Sequence, residues 1–288
     1  MNELSEIYPE HKFPEFEIER NMEEAKKTIG QESLENPEEK IKKEEFLSSI
    51  KDVIKRAEER KKELIKDRSK EAKEKLRGIN IKDTEWINTG RKFILEHKEN
   101  PEKIRQFWEN YKLAFGKDTE SWRTYKTGIL TGLAVKKILE KELNMDFSFS
   151  DPETDVDYKI DGWGVPKKDK NTLFAVQIKG RSWANLEYDQ QKRLISDSMV
   201  MIFNRTEIYT ENQKDDKEIK RFKKGVRLFL KDNKDNKDNK KFMAMFVTLP
   251  TGQERKNGPK KFINDYGEPT EKVRELFKKQ FEKKMAFK

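Results

Sequence analysis

The stretch Asp155-Val156-Asp157-Tyr158-Lys159-Ile160-Asp161, followed by Val176-Gln177-Ile178-Lys179, decides how the chain is interpreted. Apolar and polar residues alternate in the first stretch. Because successive side chains of a strand point to opposite faces, this predicts a strand with its carboxylates on one side. The second stretch ends an apolar run that begins at Leu173, which predicts a buried strand with Gln177 and Lys179 on one face. The Gly-, Pro- and charge-rich segment 162–171 predicts a hairpin loop between them.

Such a hairpin would bring Asp161 to cross-strand distance from Gln177 or Lys179. The Asp161 carboxylate, the Gln177 amide oxygen and the backbone carbonyl of Ile178 are oxygen ligands of the kind that Mg²⁺ prefers. A bound metal lowers the pKa of a water and neutralises charge on a phosphate, and Lys179 can orient that water. The residues therefore predict a metal-phosphate site. An edge hairpin with solvated charges is the alternative that the same residues leave open.

The pair Lys159-Ile160-Asp161 and Val176-Gln177-Ile178-Lys179 resembles the motif of the PD-(D/E)xK superfamily of restriction-endonuclease-like nucleases. The resemblance covers roughly residues 118–250. It implies an α/β (α+β) fold with an αβββαβ core, extended here by N-terminal helices, and Mg²⁺-dependent phosphodiester hydrolysis with Mn²⁺ as a substitute. It assigns Asp161 as the metal-binding acid, Gln177 as the second ligand and Lys179 as the catalytic lysine.

One position departs from the family pattern. A segment from about 119 to 143 has helical spacing and corresponds to the first core helix, on which the family usually carries a glutamate. Thr131 stands at the expected place. Asp157, in phase with Asp161, or Glu120 could supply the missing acid, and Asp155 is a weaker candidate. The threonine favours the alternative of a non-catalytic nucleic-acid-binding protein with a decayed nuclease fold.

The leading hypothesis is a type II restriction endonuclease that cuts double-stranded DNA as a homodimer. A resolvase, a transposon or phage nuclease, or a CRISPR-linked defence nuclease are alternatives. The net charge is +9, and residues 1–40 carry −7 of their own, so the rest of the chain carries +16, which favours a polyanionic partner. Candidate nucleic-acid contacts, drawn from basic and aromatic residues after the motif, are Arg181, Trp183, Arg205, Arg255 and Lys256.

Composition excludes several other classes of site. The chain has no cysteine and only two histidines, both far from the motif, so thiolate metal sites and serine-histidine catalysis are not expected. No Gly-rich phosphate loop is present. No signal peptide and no apolar run of membrane length are seen, which predicts a soluble cytoplasmic protein that does not enter a membrane.

The pattern along the chain predicts three regions: an acidic segment 1–40, a helical arm or subdomain 41–117, and the nuclease-like core 118–288 with a basic C-terminal helix over 269–284. A long helix is expected over 38–77, ended by Gly78. A second helical block over 83–114 is broken at Pro101. After the motif, a helix over 189–203 and strands over 224–230 and 241–249 are expected, with the Lys-Asp-Asn repeat 231–239 as a solvated or disordered loop.

Overall fold

The computed structural model describes residues 63–67, 69–115, 120–210, 212–213, 215–233, 241–252 and 261–286, with backbone alone at 110–111, 113–115 and 120–122. The chain divides into two compact units. One comprises residues 1–79 and 110–117, and the other comprises residues 80–109 and 118–288. In the first unit, Leu64, Ala72 and Ile79 form a small buried cluster. The acidic segment 1–40 and most of the predicted 38–77 helix lie outside the described residues.

The helices are α1 (Lys70–Glu96), α2 (Pro101–Phe115), α3 (Glu120–Lys141), α4 (Pro152–Tyr158), α5 (Tyr188–Arg193), α6 (Arg205–Tyr209), α7 (Lys217–Asp232) and α8 (Glu271–Met285). The strands are β1 (Met145–Phe149), β2 (Gly162–Pro166), β3 (Thr172–Ser182), β4 (Val200–Phe203) and β5 (Lys241–Thr251). A 3₁₀ turn (Trp183–Asn185) follows β3, and a π-helical turn (Leu194–Ser198) follows α5.

The strands form one five-stranded mixed sheet with the order β1-β2-β3-β5-β4. Strands β1, β2 and β3 are antiparallel neighbours, β5 runs parallel to β3, and β4 closes the edge antiparallel to β5. The parallel pairing of β3 with β5 extends from Thr172↔Lys241 to Ser182↔Thr251. The expectation of a mixed α/β fold is therefore confirmed at the level of class.

The two faces of the sheet pack against different helices. Ala175 of β3 lies in a buried cluster with Phe222 and Val226 of α7. On the other face, the Phe174 ring lies 6.1 Å from the Phe281 ring of α8. Because side chains alternate along a strand, Gln177 and Lys179 share the α7 face with Ala175.

The predicted strand over 155–161 is wrong, because Pro152–Tyr158 forms helix α4. The Asp151 side chain accepts a hydrogen bond from the Thr154 backbone N–H, and Pro152 occupies the first turn, so the start of the helix is capped. Lys159 ends it in a left-handed conformation with φ of 59°. The strand begins only at Gly162, immediately after Asp161. Local capping therefore outweighs the alternation of period two.

Some of the other predicted elements are confirmed and some are wrong. The helix before the motif, the strand at 241–249 and the C-terminal helix are confirmed by α3, β5 and α8. Gly78 lies inside α1 and does not end it, and residues 224–230 are helical in α7. The helix over 189–203 is only partly correct, since its last part forms β4. Lys231 and Asp232 of the repeat belong to α7 and not to a loop, and residues 234–239 of the repeat lie outside the described residues.

Candidate functional site

Asp161 is held at the start of β2 by hydrogen bonds on both sides of the chain. Its backbone N–H donates to the Val176 carbonyl at 2.8 Å, and its carbonyl accepts from the Ser150 N–H at 3.0 Å. Its carboxylate oxygen Oδ2 accepts from the Ile178 N–H at 2.5 Å and from the Gln177 side-chain Nε2. The structure therefore brings the predicted pair Asp161 and Gln177 into direct contact.

The backbone of Ile178 also faces this site. Strand β2 pairs with β3 only as far as Gly162↔Val176, so the Asp161 side chain takes the place of a neighbouring strand beside Ile178. In a strand, the N–H and the C=O of one residue point to the same side. The Ile178 carbonyl therefore points to the side from which its N–H contacts Asp161, as a metal ligand at this position requires.

Asp155 on α4 is the second acid of the site. Burial raises its pKa to about 8, and the charge of Asp161 adds to that effect. A hydrogen bond with the Asp161 side chain raises the pKa of Asp155 further. Asp157 is exposed, because residues two apart on a helix point in different directions. The acid beside Asp161 is thus Asp155, where the strand interpretation had favoured Asp157.

A buried guanidinium lies close to the acid pair. Arg91 of α1 is buried, and it donates to the Asn88 side-chain oxygen at 2.9 Å and to the Gly128 carbonyl at 3.0 Å. Its charged carbon lies 4.3 Å above the Phe149 ring. Burial lowers the pKa of Arg91, and the charges of Asp161 and Asp155 act in the opposite direction. The guanidinium therefore offsets part of the negative charge of the two acids.

Two lysines add positive charge near the acids. Burial lowers the pKa of Lys159, as does the charge of Lys179, while Asp155 acts to raise it. Lys179 is half-buried and forms no ion pair with an acid in the part of the chain that the structure describes. Among those residues, no acid therefore competes with an anionic ligand for the Lys179 ammonium group.

The helix position at which the family usually carries the acid does not supply one here. Thr131 of α3 is buried on the opposite face of the sheet, where a side chain at Gly180 would lie 2.6 Å from its hydroxyl oxygen. That hydroxyl has no hydrogen-bond partner among the described residues. Glu120 begins α3, and its side chain lies outside the described residues.

The candidate nucleic-acid contacts are scattered. Arg181 pairs with Glu218 of α7 at 2.6 Å, and the Trp183 ring packs 5.0 Å from the Phe262 ring. Arg205 is exposed at the start of α6. Arg255 and Lys256 lie outside the described residues. The structure thus gives Arg181 an intramolecular partner, which reduces its availability for phosphate.

The oxygen atoms around Asp161 are possible ligands of a hard divalent cation. No group of three or more His, Cys, Asp or Glu side chains within the described ranges forms a metal cluster. Two carboxylates, of Asp155 and Asp161, nevertheless meet beside the Gln177 amide and the Ile178 carbonyl. Oxygen ligands of this kind suit Mg²⁺, which keeps several waters and needs only one or two carboxylates. The residues present therefore fit a magnesium ion.

Asp155 makes the stability of the metal-free protein depend on pH. A raised carboxyl pKa favours the folded state below the unfolded pKa of about 3.9, and this stability is lost as pH rises towards the folded pKa of about 8. Asp155→Asn mimics the protonated form, so we expect it to stabilise the metal-free protein by about 1–2 kcal/mol at pH 8 and by almost nothing near pH 4.

Urea unfolding in EDTA at several pH values measures this difference. Glu153→Gln, an exposed change on the same short helix, should show no such trend. If Asp155→Asn stabilises the protein equally at the higher and the lower pH, the pKa of Asp155 is not raised by burial beside Asp161.

With the geometry established, the chain was compared with known proteins. Protein-family models, curated proteins and solved structures all gave no match. In the described part of the chain, no helix combines the length and the apolar character that a membrane span needs.

Proposed function

We propose that this protein is a Mg²⁺-dependent endonuclease that hydrolyses phosphodiester bonds of DNA. The observation that carries the proposal is the contact of Asp161 with Asp155, Gln177 and the Ile178 N–H, with Lys179 beside them. A carboxyl of raised pKa beside a second carboxylate, together with an amide and a lysine on a central strand, is typical of functional sites.

The order of elements supports the same proposal. Helix α3, the antiparallel strands β1, β2 and β3, helix α7 and the parallel strand β5 occur in the chain order of an αβββαβ core. Helix α4 is inserted between β1 and β2, and α5, β4 and α6 are inserted between β3 and α7. The order of the core elements is what the resemblance to PD-(D/E)xK nucleases implies. The finer proposal is a type II restriction enzyme acting on double-stranded DNA as a cytoplasmic homodimer.

Asp155, Asp161, Gln177 and the Ile178 carbonyl would hold the metal. Gln177 now presents its nitrogen to Asp161, and a half-turn of the amide would present its oxygen from the same place. The metal would supply a water of lowered pKa and neutralise charge on the phosphate. The proton that Asp155 shares with Asp161 would leave when a cation is bound.

The lysines have separate roles in this proposal. Lys179 holds the attacking water in line or stabilises negative charge that builds on the phosphate oxygens, because its ammonium group has no competing acid among the described residues. Lys159 and Arg91 are positioning residues, which keep the two acids ionised once a cation replaces their proton. In this proposal, the acids that hold the metal are Asp155 and Asp161, and no acid of α3 is required.

The test is incubation of phage-sized duplex DNA with Mg²⁺, comparing wild type with Lys179→Ala. We expect discrete fragments from wild type and a rate about 10²–10⁴-fold lower from the variant. Lys170→Ala, an exposed lysine in the β2–β3 loop, should cut as wild type does. Cutting that survives EDTA, or equal cutting by Lys179→Ala, would reject the proposal.

The same assay separates the related alternatives. Preference for branched DNA indicates a resolvase, and cutting without fixed fragments indicates a nuclease of low sequence specificity. Binding of DNA without cutting at any Mg²⁺ or Mn²⁺ concentration indicates the non-catalytic protein.

A further inference from the structure

The outward face of α7 is rich in cationic side chains. Residues three and four apart on a helix lie on one face. Exposed residues at this spacing form what we call the α7 stripe: Lys217, Lys220, Arg221, Lys224, Leu228 and Lys231. At 1.5 Å per residue, the stripe is about 21 Å long.

Both acids of α7 have partners. Glu218 pairs with Arg181 of β3 at 2.6 Å, and Asp232 accepts a hydrogen bond from the Tyr158 hydroxyl at 3.1 Å. Asp232 is nevertheless exposed at the C-terminal end of the stripe face. No cation of the α7 stripe forms an ion pair within the described ranges of the chain. The helix that carries the stripe therefore offsets only a small part of its charge.

Helix α7 lies directly against the elements that hold the acid pair. Gly225 packs so closely on α4 that a side chain there would lie 2.0 Å from the Tyr158 carbonyl oxygen. Tyr158 is one helical turn beyond Asp155. At its other end, α7 contacts Arg181, which follows Lys179 by two residues on the same strand face. Helix α7 thus borders the elements of the site with its inward side, and the α7 stripe lies on the outward side of the same helix.

We propose that the α7 stripe binds the phosphate backbone of duplex DNA and leads it to the acid pair. The inference rests on the proposed function, because it names the surface by which the substrate is held. A length of about 21 Å matches roughly six phosphate steps of one strand. Five cations against one exposed acid, Asp232, suit a polyanion that is bound by charge and not by base sequence. The single apolar residue, Leu228, is 40% exposed and leaves the stripe otherwise polar.

The experiment measures binding without cutting. Fluorescence anisotropy of a labelled duplex of roughly two helical turns is followed in EDTA between about 50 and 200 mM salt. The triple variant Lys217→Ala, Lys220→Ala, Lys224→Ala should keep its fold, because the three side chains are exposed and alanine favours a helix. We expect the slope of log K against log salt to become shallower by roughly 2–3, and the affinity at low salt to fall at least tenfold.

A matched variant controls for net charge. Lys272→Ala, Lys278→Ala, Lys279→Ala removes the same charge from exposed positions of α8. Because α8 packs on the other face of the sheet, this variant should keep nearly the wild-type slope. An unchanged slope for the α7 variant, or equal losses for both variants, would overturn the inference.

Failure of the proposed function gives a different result. A protein that binds duplex DNA through the α7 stripe and never cuts it with Mg²⁺ or Mn²⁺ would refute the nuclease proposal and leave the stripe assignment standing. A protein that cuts DNA while the α7 variant keeps the wild-type slope would refute the stripe assignment and leave the nuclease proposal standing.

Discussion

Asp161→Asn should leave the protein folded and lower Mg²⁺-dependent DNA cleavage by about 10³-fold or more. The asparagine oxygen can still accept the hydrogen bond from the Ile178 N–H, so the start of β2 keeps its anchor. The variant lacks the negative charge that a divalent cation needs beside Asp155. Initial cleavage rates, with circular dichroism as a check of folding, measure the two effects separately.

Asp161→Ala is the informative contrast. It removes the acceptor of the Ile178 N–H and of the Gln177 amide, so we expect a loss of about 1–3 kcal/mol of stability in addition to the loss of cleavage. Glu153→Gln on α4 should cut at the wild-type rate. If Asp161→Asn cuts within a few-fold of wild type, Asp161 is a structural acceptor and the metal lies elsewhere.

Gly225→Ala should destabilise the protein by about 3 kcal/mol, although alanine is the better helix former by about 1 kcal/mol. The added methyl group would lie 2.0 Å from the Tyr158 carbonyl oxygen and 2.6 Å from its carbonyl carbon. Backbone atoms cannot rotate away as a side chain does, so α4 must move relative to α7. Since α4 carries Asp155, cleavage should also fall. Thermal unfolding, with a shift of about 6–12 °C, measures the first effect.

Gly128→Ala is the matched helical control. A side chain there would lie 3.2 Å from the end of the flexible Ile87 side chain, which can shift. We expect its stability to change by less than about 1 kcal/mol, because better helix propensity offsets the tight contact. A Gly225→Ala protein as stable as wild type would contradict the close packing of α7 on α4.

The sequence predicts strand β3 and the contact of Asp161 with Gln177, but it misplaces the strand between them. The apolar run that ends in Gln177 and Lys179 predicts β3, and Asp161 lies beside Gln177 as expected. The segment 162–171 is predicted as a loop, whereas Gly162–Pro166 forms β2 and pairs with both β1 and β3. Strand β3 is predicted correctly because its short-range apolar pattern is clear. The strand β5 and the helices α3 and α8 are predicted for the same reason, since their apolar spacing is unambiguous.

Helix α4 and the charged residues around the acids could not be predicted from the alternation of apolar and polar residues alone. Over 152–158, the Asp151-Pro152 start favours a helix and the alternation favours a strand, and the capped helix prevails. A stricter search for helix starts would have placed Asp155 correctly. Arg91 could not have been found in this way, because it lies in a helix of the preceding segment and reaches the site only through packing against Gly128 and Gly132. Lys159 is part of the sequence motif, but its position near the acids depends on where helix α4 ends.

A calorimetric titration of Mg²⁺ into the protein and its single-acid variants decides whether Asp155 and Asp161 hold a metal ion. We expect one binding site in wild type, loss of binding in Asp155→Asn and Asp161→Asn, and unchanged binding in Asp157→Asn. Wild-type affinity in Asp155→Asn together with loss in Asp157→Asn would contradict this expectation, because a different acid would then complete the site.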